Sequence, residues 1–333
     1  MSSAAQRFRN WAIVLAVLLM GCFYLDLFCG SYHVSFIHFI ESIYNYDSND
    51  TRQLVMREFR IPRAVTALLA GSALSVCGLL MQTLFNNPLA GPYVLGISSG
   101  SSLFVAIGSL TGIHFFVNDY GMILLAFLGA ILFGVIILIS SVRIRTQISL
   151  LLVGLMLGSM AGAVITTLEA TASAQELRAY TMWTMGSLQN THFDQLGLFL
   201  GIISMALATC LFLIKPLNAL VLGEDHASLL GINIRRFRFL TILITAVLSG
   251  TITAFCGPIA FVGLAVPNMA KMLFKTASHL KLLVGCFLIG GSFLLLADVL
   301  IQTLEPYFLV PVNALTSLIG APIIIYLILK RWA

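Results

Sequence analysis

Residues able to do chemistry are few in this sequence, and they are widely spaced. Asp298 is the one acidic residue that reads as lying well inside an apolar segment; Asp26, Glu169, Asp194 and Glu305 fall near segment ends. All six histidines (33, 38, 114, 192, 226 and 279) fall in polar breaks or at segment edges. A proton- or sodium-driven carrier usually needs a chain of ionisable groups inside the membrane, and a carrier of bare metal ions needs a ligand cluster there. Neither pattern is present. A G-x-x-x-x-G-K-[ST] loop, whose backbone amides cradle phosphate, is missing too, because none of the five lysines follows a glycine. The six cysteines (22, 29, 77, 210, 256 and 286) sit in apolar stretches without C-x-x-C spacing. They read as small packing residues, neither disulfides nor metal ligands. No metal or cofactor is expected on this chain.

Three other patterns carry more information. The first is the loop 215–238, which contains Gly223, Glu224, Ala227, Leu230 and Gly231 in the order G-E-x-x-A-x-x-x-G. Residues 224–230 can form a short helix with Glu224 and Asp225 at its positive end. Gly231 suits a left-handed cap, and Ala227 with Leu230 gives a small apolar face of the kind that docks in a partner's groove. A solvated connector anchored by the basic residues at 235–238 has little need of that order. The second is Gly154, Gly158 and Gly162, a G-x-x-x-G-x-x-x-G stripe that lets two helix backbones approach closely. It serves packing within the chain, a subunit interface or the lining of a pathway. Met156 and Met160 on the same helix could line a pathway, although ordinary packing is the simpler reading. The third is Arg60 and Arg63 in the run Arg60-Ile61-Pro62-Arg63.

The elements that position these residues follow from composition. Of 333 residues, 59% are hydrophobic and only 9% charged, where a soluble domain carries about 25% charged residues. A soluble enzyme, a nucleic-acid-binding module and a disordered chain are all excluded by that balance. Ten apolar stretches approach the length of about 20 residues that a spanning helix needs. They lie at 11–29, 64–85, 94–110, 121–141, 149–169, 195–214, 239–256, 258–274, 281–303 and 310–329. With both termini cytoplasmic, 13 basic residues lie inside (Arg7, Arg9, Arg143, Arg145, Lys215, Arg235, Arg236, Arg238, Lys271, Lys275, Lys281, Lys330 and Arg331). Only 5 lie outside (Arg52, Arg57, Arg60, Arg63 and Arg178), which fits the positive-inside bias. The expected fold is an all-α integral membrane protein of about ten spans. Leu19-Met20-Gly21-Cys22 resembles a lipoprotein cleavage box, but the apolar run continues to Cys29, so a first membrane helix is the expectation.

Two helix-breaking segments look alike. Asn86-Asn87-Pro88-Leu89-Ala90-Gly91-Pro92 leads into Gly96-Ile97-Ser98-Ser99-Gly100, and Cys256-Gly257-Pro258 leads into Gly263-Leu264-Ala265-Val266-Pro267. The topology puts the first at the inner face and the second at the outer face. An inverted repeat of spans 2–5 and 7–10 would produce that arrangement.

Together these motifs resemble the FecCD-type permease family of iron–siderophore, haem and cobalamin importers. The matching stretches are Arg60–Arg63, Leu84–Ala90, Leu95–Gly100, Gly257–Pro267, Leu296-Ala297-Asp298 and Leu318–Pro322, in order over about residues 57–330. The resemblance implies one permease domain over 1–333 in the cytoplasmic (inner) membrane, with 215–238 as its coupling loop. The implied partners are a second permease subunit (identical or a paralogue), two cytoplasmic ABC ATPases and an extracytoplasmic binding protein. Glu224 to Gly231 would contact the ATPase, and Arg60 and Arg63 would meet acidic residues of the binding protein. Asn87 and Leu89 match one inner gate; Thr146 and Gln147 match the other by position only, since the residue types differ. Position 302 is Gln where the family often has an arginine paired with Asp298, so a third cationic dock is absent and Arg178 is a candidate substitute.

The implied function is the membrane permease of a binding-protein-dependent importer. It would move a bulky metal chelate by alternating access driven by the partner ATPases. Ferric siderophore comes first, with cobalamin and haem as alternatives. The chain itself is not expected to be an enzyme. Two rivals are an ion-coupled secondary transporter using Asp298 and a membrane-embedded enzyme, and the sequence offers neither the chain of ionisable groups nor a nucleophile–base set.

Overall fold

The computed structural model describes residues 3–30, 34–47, 49–111, 119–144 and 146–332. His33, His114 and Arg145 lie outside them, as do the side chains of Lys330 and Arg331. Among the described residues every regular element is helical. In chain order these are α1 (Ser3–Phe28), α2 (Phe36–Tyr44), α3 (Thr51–Leu54), a π-helical turn (Val55–Arg60), α4 (Ile61–Leu84), a 3₁₀ turn (Pro92–Leu95), α5 (Ile97–Leu110), α6 (Asp119–Arg143) and α7 (Gln147–Thr171). There follow α8 (Ala174–Thr184), α9 (Phe193–Phe212), α10 (Ile214–Leu220), α11 (Glu224–Leu229), α12 (Ile234–Cys256), α13 (Val262–Phe274), α14 (His279–Leu304) and α15 (Val312–Trp332).

Each of the ten apolar stretches falls on a helix. Among the described residues seven helices are long and apolar enough to cross a membrane: α1, the continuous run through α3 and α4, α6, α7, α9, α12 and α14. The remaining three, in α5, α13 and α15, are shorter apolar helices. Shortness has a local cause in two of them, because each follows one of the helix-breaking segments. The helical run Thr51–Leu84 also absorbs Pro62. Proline cannot donate to the carbonyl one turn back, and the preceding π-helical turn re-routes those bonds.

At the centre stands α4. It is 89% buried over its apolar window, against 17% for α7 and 22% for α1. Small residues let its neighbours close in: a Cβ added at Gly71 would lie 2.2 Å from the Gly290 carbonyl oxygen on α14, and one at Gly78 only 1.6 Å from that of Gly263 on α13. In lipid, where apolar surface alone gives helices little reason to associate, such backbone approach supplies the packing energy. The cysteines behave as small apolar residues; all are free and all but Cys29 are buried.

Protein covers much of the two helix-breaking segments, although Asn86 and Leu89 of the first are exposed. Ala90, Gly91, Pro92 and Leu95 are buried, as are Cys256, Gly257 and Ile259. Their irregular backbone is tolerated because protein covers it. Asn268 Nδ2 donates to the Pro88 carbonyl at 2.9 Å, and Ser187 N donates to the Cys256 carbonyl at 2.8 Å.

The bundle has two distinct ends. One carries α10, α11 and the N-termini of α7, α12 and α14. The other carries α2, α8 and the C-termini of α12 and α14.

Candidate functional site

At the first end the loop 215–238 folds into α10 and α11. Gly223 and Gly231 bracket α11 with φ of +100° and +82°, conformations that favour glycine. A Cβ at either would meet nothing within 4 Å, so their role is conformational and not one of close packing. The expectation that Ala227 belongs to a docking face is corrected here. Ala227 is fully buried against its own chain, and its carbonyl accepts from Ile232 N at 3.1 Å. Around the buried Ala227 the rest of α11 is open: Asp225, His226 and Ser228 are exposed, as are Leu229 (85%) and the cap residue Leu230 (67%), and Leu222 before the helix is exposed too.

Glu224 does not point away from the protein either. Its Oε1 accepts from Gln147 Nε2 at 2.8 Å and from Arg238 Nη2 at 2.8 Å, and its Oε2 accepts from the same Arg238 nitrogen at 3.0 Å. Gln147 opens α7 behind Thr146, which caps that helix by accepting from Ser149 N at 3.3 Å. Thus Gln147, which matched a gate by position only, is brought to the loop 215–238. Asn87 and Leu89 form a tight side-chain turn, with Leu89 N donating to Asn87 Oδ1 at 2.9 Å and the Leu89 side chain exposed.

A second cluster lies near the opposite end. Arg63 Nε donates to Asp298 Oδ2 at 2.6 Å, and its Nη1 lies 3.7 Å from Glu305. Gln302 Nε2 donates to the same Asp298 oxygen at 3.0 Å and to Asp26 Oδ1 at 2.6 Å. Arg60 is buried, with Nη1 donating to the Leu27 carbonyl at 2.9 Å. The arginines expected on the outer face are therefore turned into the protein. The reason is electrostatic: Asp298 and Asp26 are 0% and 1% exposed, and carboxylates removed from water need cations and donors close by. Sequence reading placed Asp26 at a segment end and missed that it joins this cluster. Gln302 does hydrogen bond Asp298 one turn away, and it bridges to Asp26 as well. A cavity of about 500 Å³ opens beside Arg63, Asp298 and Glu305, with Met182, Trp183 and Phe255 on its apolar walls. Arg178 on α8 is exposed.

The glycine stripe of α7 divides. Gly154 packs on the 3₁₀ turn, where an added Cβ would lie 2.3 Å from the Val94 carbonyl oxygen; Gly158 sits beside Ser99, and Gly162 has open space. Met156 (62% exposed) and Met160 (57%) face away from the chain. The packing reading of these two methionines is therefore wrong within this subunit.

Comparison with known proteins gives consistent matches. The profile of the FecCD transport family matches residues 18–330. The hemin transport system permease protein HmuU of Yersinia pestis is 35% identical over 327 residues, covering 96% of this chain and 94% of its own. A protein of Helicobacter pylori named as a probable iron chelatin transport system permease is 36% identical, covering 83% of both chains. Among solved structures, an inward-facing conformation of a metal-chelate type ABC transporter superposes with a TM-score of 0.85 at 27% identity. That match covers 97% of this chain and 99% of the other.

Proposed function

This chain belongs to the FecCD transport family of multi-pass inner-membrane permeases, and from that premise we propose that it is the membrane subunit of an ABC importer for a metal chelate, ferric siderophore first. Ten spans with both termini cytoplasmic put α11 on the inner side and α8 on the outer side. Two copies, or this chain and a paralogue, enclose the pathway. Two ATPases bind below, and a binding protein delivers the ligand from outside.

The observation that carries this reading is α11 itself. A six-residue helix between two positive-φ glycines presents its last residue, Leu229, and the cap residue Leu230 to solvent. Exposed apolar side chains at the bundle's polar end call for a partner groove. ATP-driven motion of the ATPases displaces α11 and switches access. The methionines of α7 face outward from the subunit, where a second subunit across a shared pathway would meet them. Docking of the binding protein falls to exposed cations such as Arg178, since Arg60 and Arg63 are engaged inside.

Relatives named for hemin, iron chelatin and vitamin B12 transport make ferric siderophores, haem and cobalamin the three arms of the test. A strain lacking the gene should lose uptake of one labelled compound among ferric siderophores, haem and cobalamin. The wild-type gene should restore it and an L229D/L230D variant should not. Unchanged uptake of all three, or full restoration by the variant, would refute the reading.

A further inference from the structure

The loop that carries α11 is tied to the bundle at two points, and these lead to different helices. On α10, Asn218 Oδ1 accepts from the His279 backbone N–H at 2.8 Å and lies 3.0 Å from His279 Nδ1. His279 Nε2 lies 3.0 Å from Thr83 Oγ1 on α4. That tie fixes α10 to the block of α4 and α14. On α11, Glu224 instead reaches Gln147 at the start of α7 and Arg238 in α12. Between the two ties lies Gly223, at φ +100° with open space around it. A chain held firmly on both sides of such a residue turns there most easily, because the left-handed conformation costs glycine little.

We propose that Glu224 is a positioning residue: a latch through which displacement of α11 moves α7 and α12 against the α4–α14 block, with Gly223 as the pivot. The proposal rests on α11 being the ATPase contact. The geometry suits transmission. Glu224 presents both carboxylate oxygens to one Arg238 nitrogen, so the contact is charge-assisted; Arg238 is buried, while the Glu224 side chain keeps 34% of its surface exposed. Gln147 is the first residue of α7, so a pull there acts on the helix end and not on its flank. The helix it would move is the least buried of the long spans, at 17% over its window. Little of its surface is therefore packed within the chain.

The test uses the assembled transporter, purified through this chain and placed in nanodiscs. Spin labels at Leu152 on α7 and Leu280 on α14, both exposed, report the distance between the two blocks. That distance is measured without nucleotide and after trapping with ATP, magnesium and vanadate. Wild type should show a change between the two states. E224A and Q147A should lose more than half of that change while the complex still hydrolyses ATP, because the surface of Leu229 and Leu230 is untouched. Q147A leaves the Glu224–Arg238 pair in place, so it is informative even if E224A folds poorly. The charge swap E224R/R238E should restore part of the change.

A wild-type change in both single variants would overturn the latch. So would loss of the ATPase from both, since Glu224 would then merely hold α11 together. A wild-type complex with no bound ATPase and no change would fail the permease reading, and the latch with it.

Discussion

Replacing Arg63 by methionine removes the cation from a buried carboxylate and leaves a side chain of similar length. Asp298 is 1% exposed on its side chain, and Arg63 Nε sits 2.6 Å from it. Breaking a buried pair from one side costs about 3–5 kcal/mol, because the remaining charge is stranded away from water. An exposed pair would cost about 0–1 kcal/mol. The two cases are well separated. Gln302 still donates to Asp298 in the variant, which places the expected loss at the lower end of the buried range. Neutralising the stranded charge should relieve it, so R63M/D298N should recover roughly 1–3 kcal/mol of the R63M loss, as coupled neighbours do. The assay is SDS-titrated unfolding in mixed micelles, followed by tryptophan fluorescence. A second readout is pull-down of the binding protein. Wild-type stability in R63M with binding-protein docking abolished would show that Arg63 faces a partner and would refute the buried-pair account.

Two further outcomes are expected. At Gly231, G231V should lose transport while inserting normally, since a β-branched residue at φ +82° costs about 1–3 kcal/mol of backbone strain. G231N should retain more, because asparagine tolerates that region, and equal uptake by the two variants would place the effect elsewhere. R178E should weaken binding-protein docking and make it less salt-sensitive, as expected of an exposed electrostatic contact; docking measured over a salt series that matches wild type would remove Arg178 from the interface.

The class of the protein was open to reading in the sequence because its signals are local. Whether a stretch of about 20 residues prefers lipid depends on its own side chains, and each of the ten stretches falls on a helix. The order of Gly223, Glu224, Ala227 and Gly231 likewise announced a short capped helix, because caps and glycine conformations are set within a few residues. The cysteines announced packing by their apolar company alone.

The partners of the polar residues could not be read in the same way. Asp26 meets Gln302 across 276 positions of chain and Arg63 meets Asp298 across 235, so only the packing order of α1, α4 and α14 decides that these polar groups find one another. Sequence reading saw two arginines near the outer face and assigned them to a partner. Inside the bundle Arg63 pairs with the buried Asp298 instead, and Arg60 donates to the Leu27 carbonyl. The same holds at the other end: Ala227 and Leu229 are two residues apart in one helix, and only the rotation of α11 on the bundle decides which is hidden. Periodicity fixes which residues share a face. Which face is covered depends on neighbours far along the chain, and that is settled only when the helices pack.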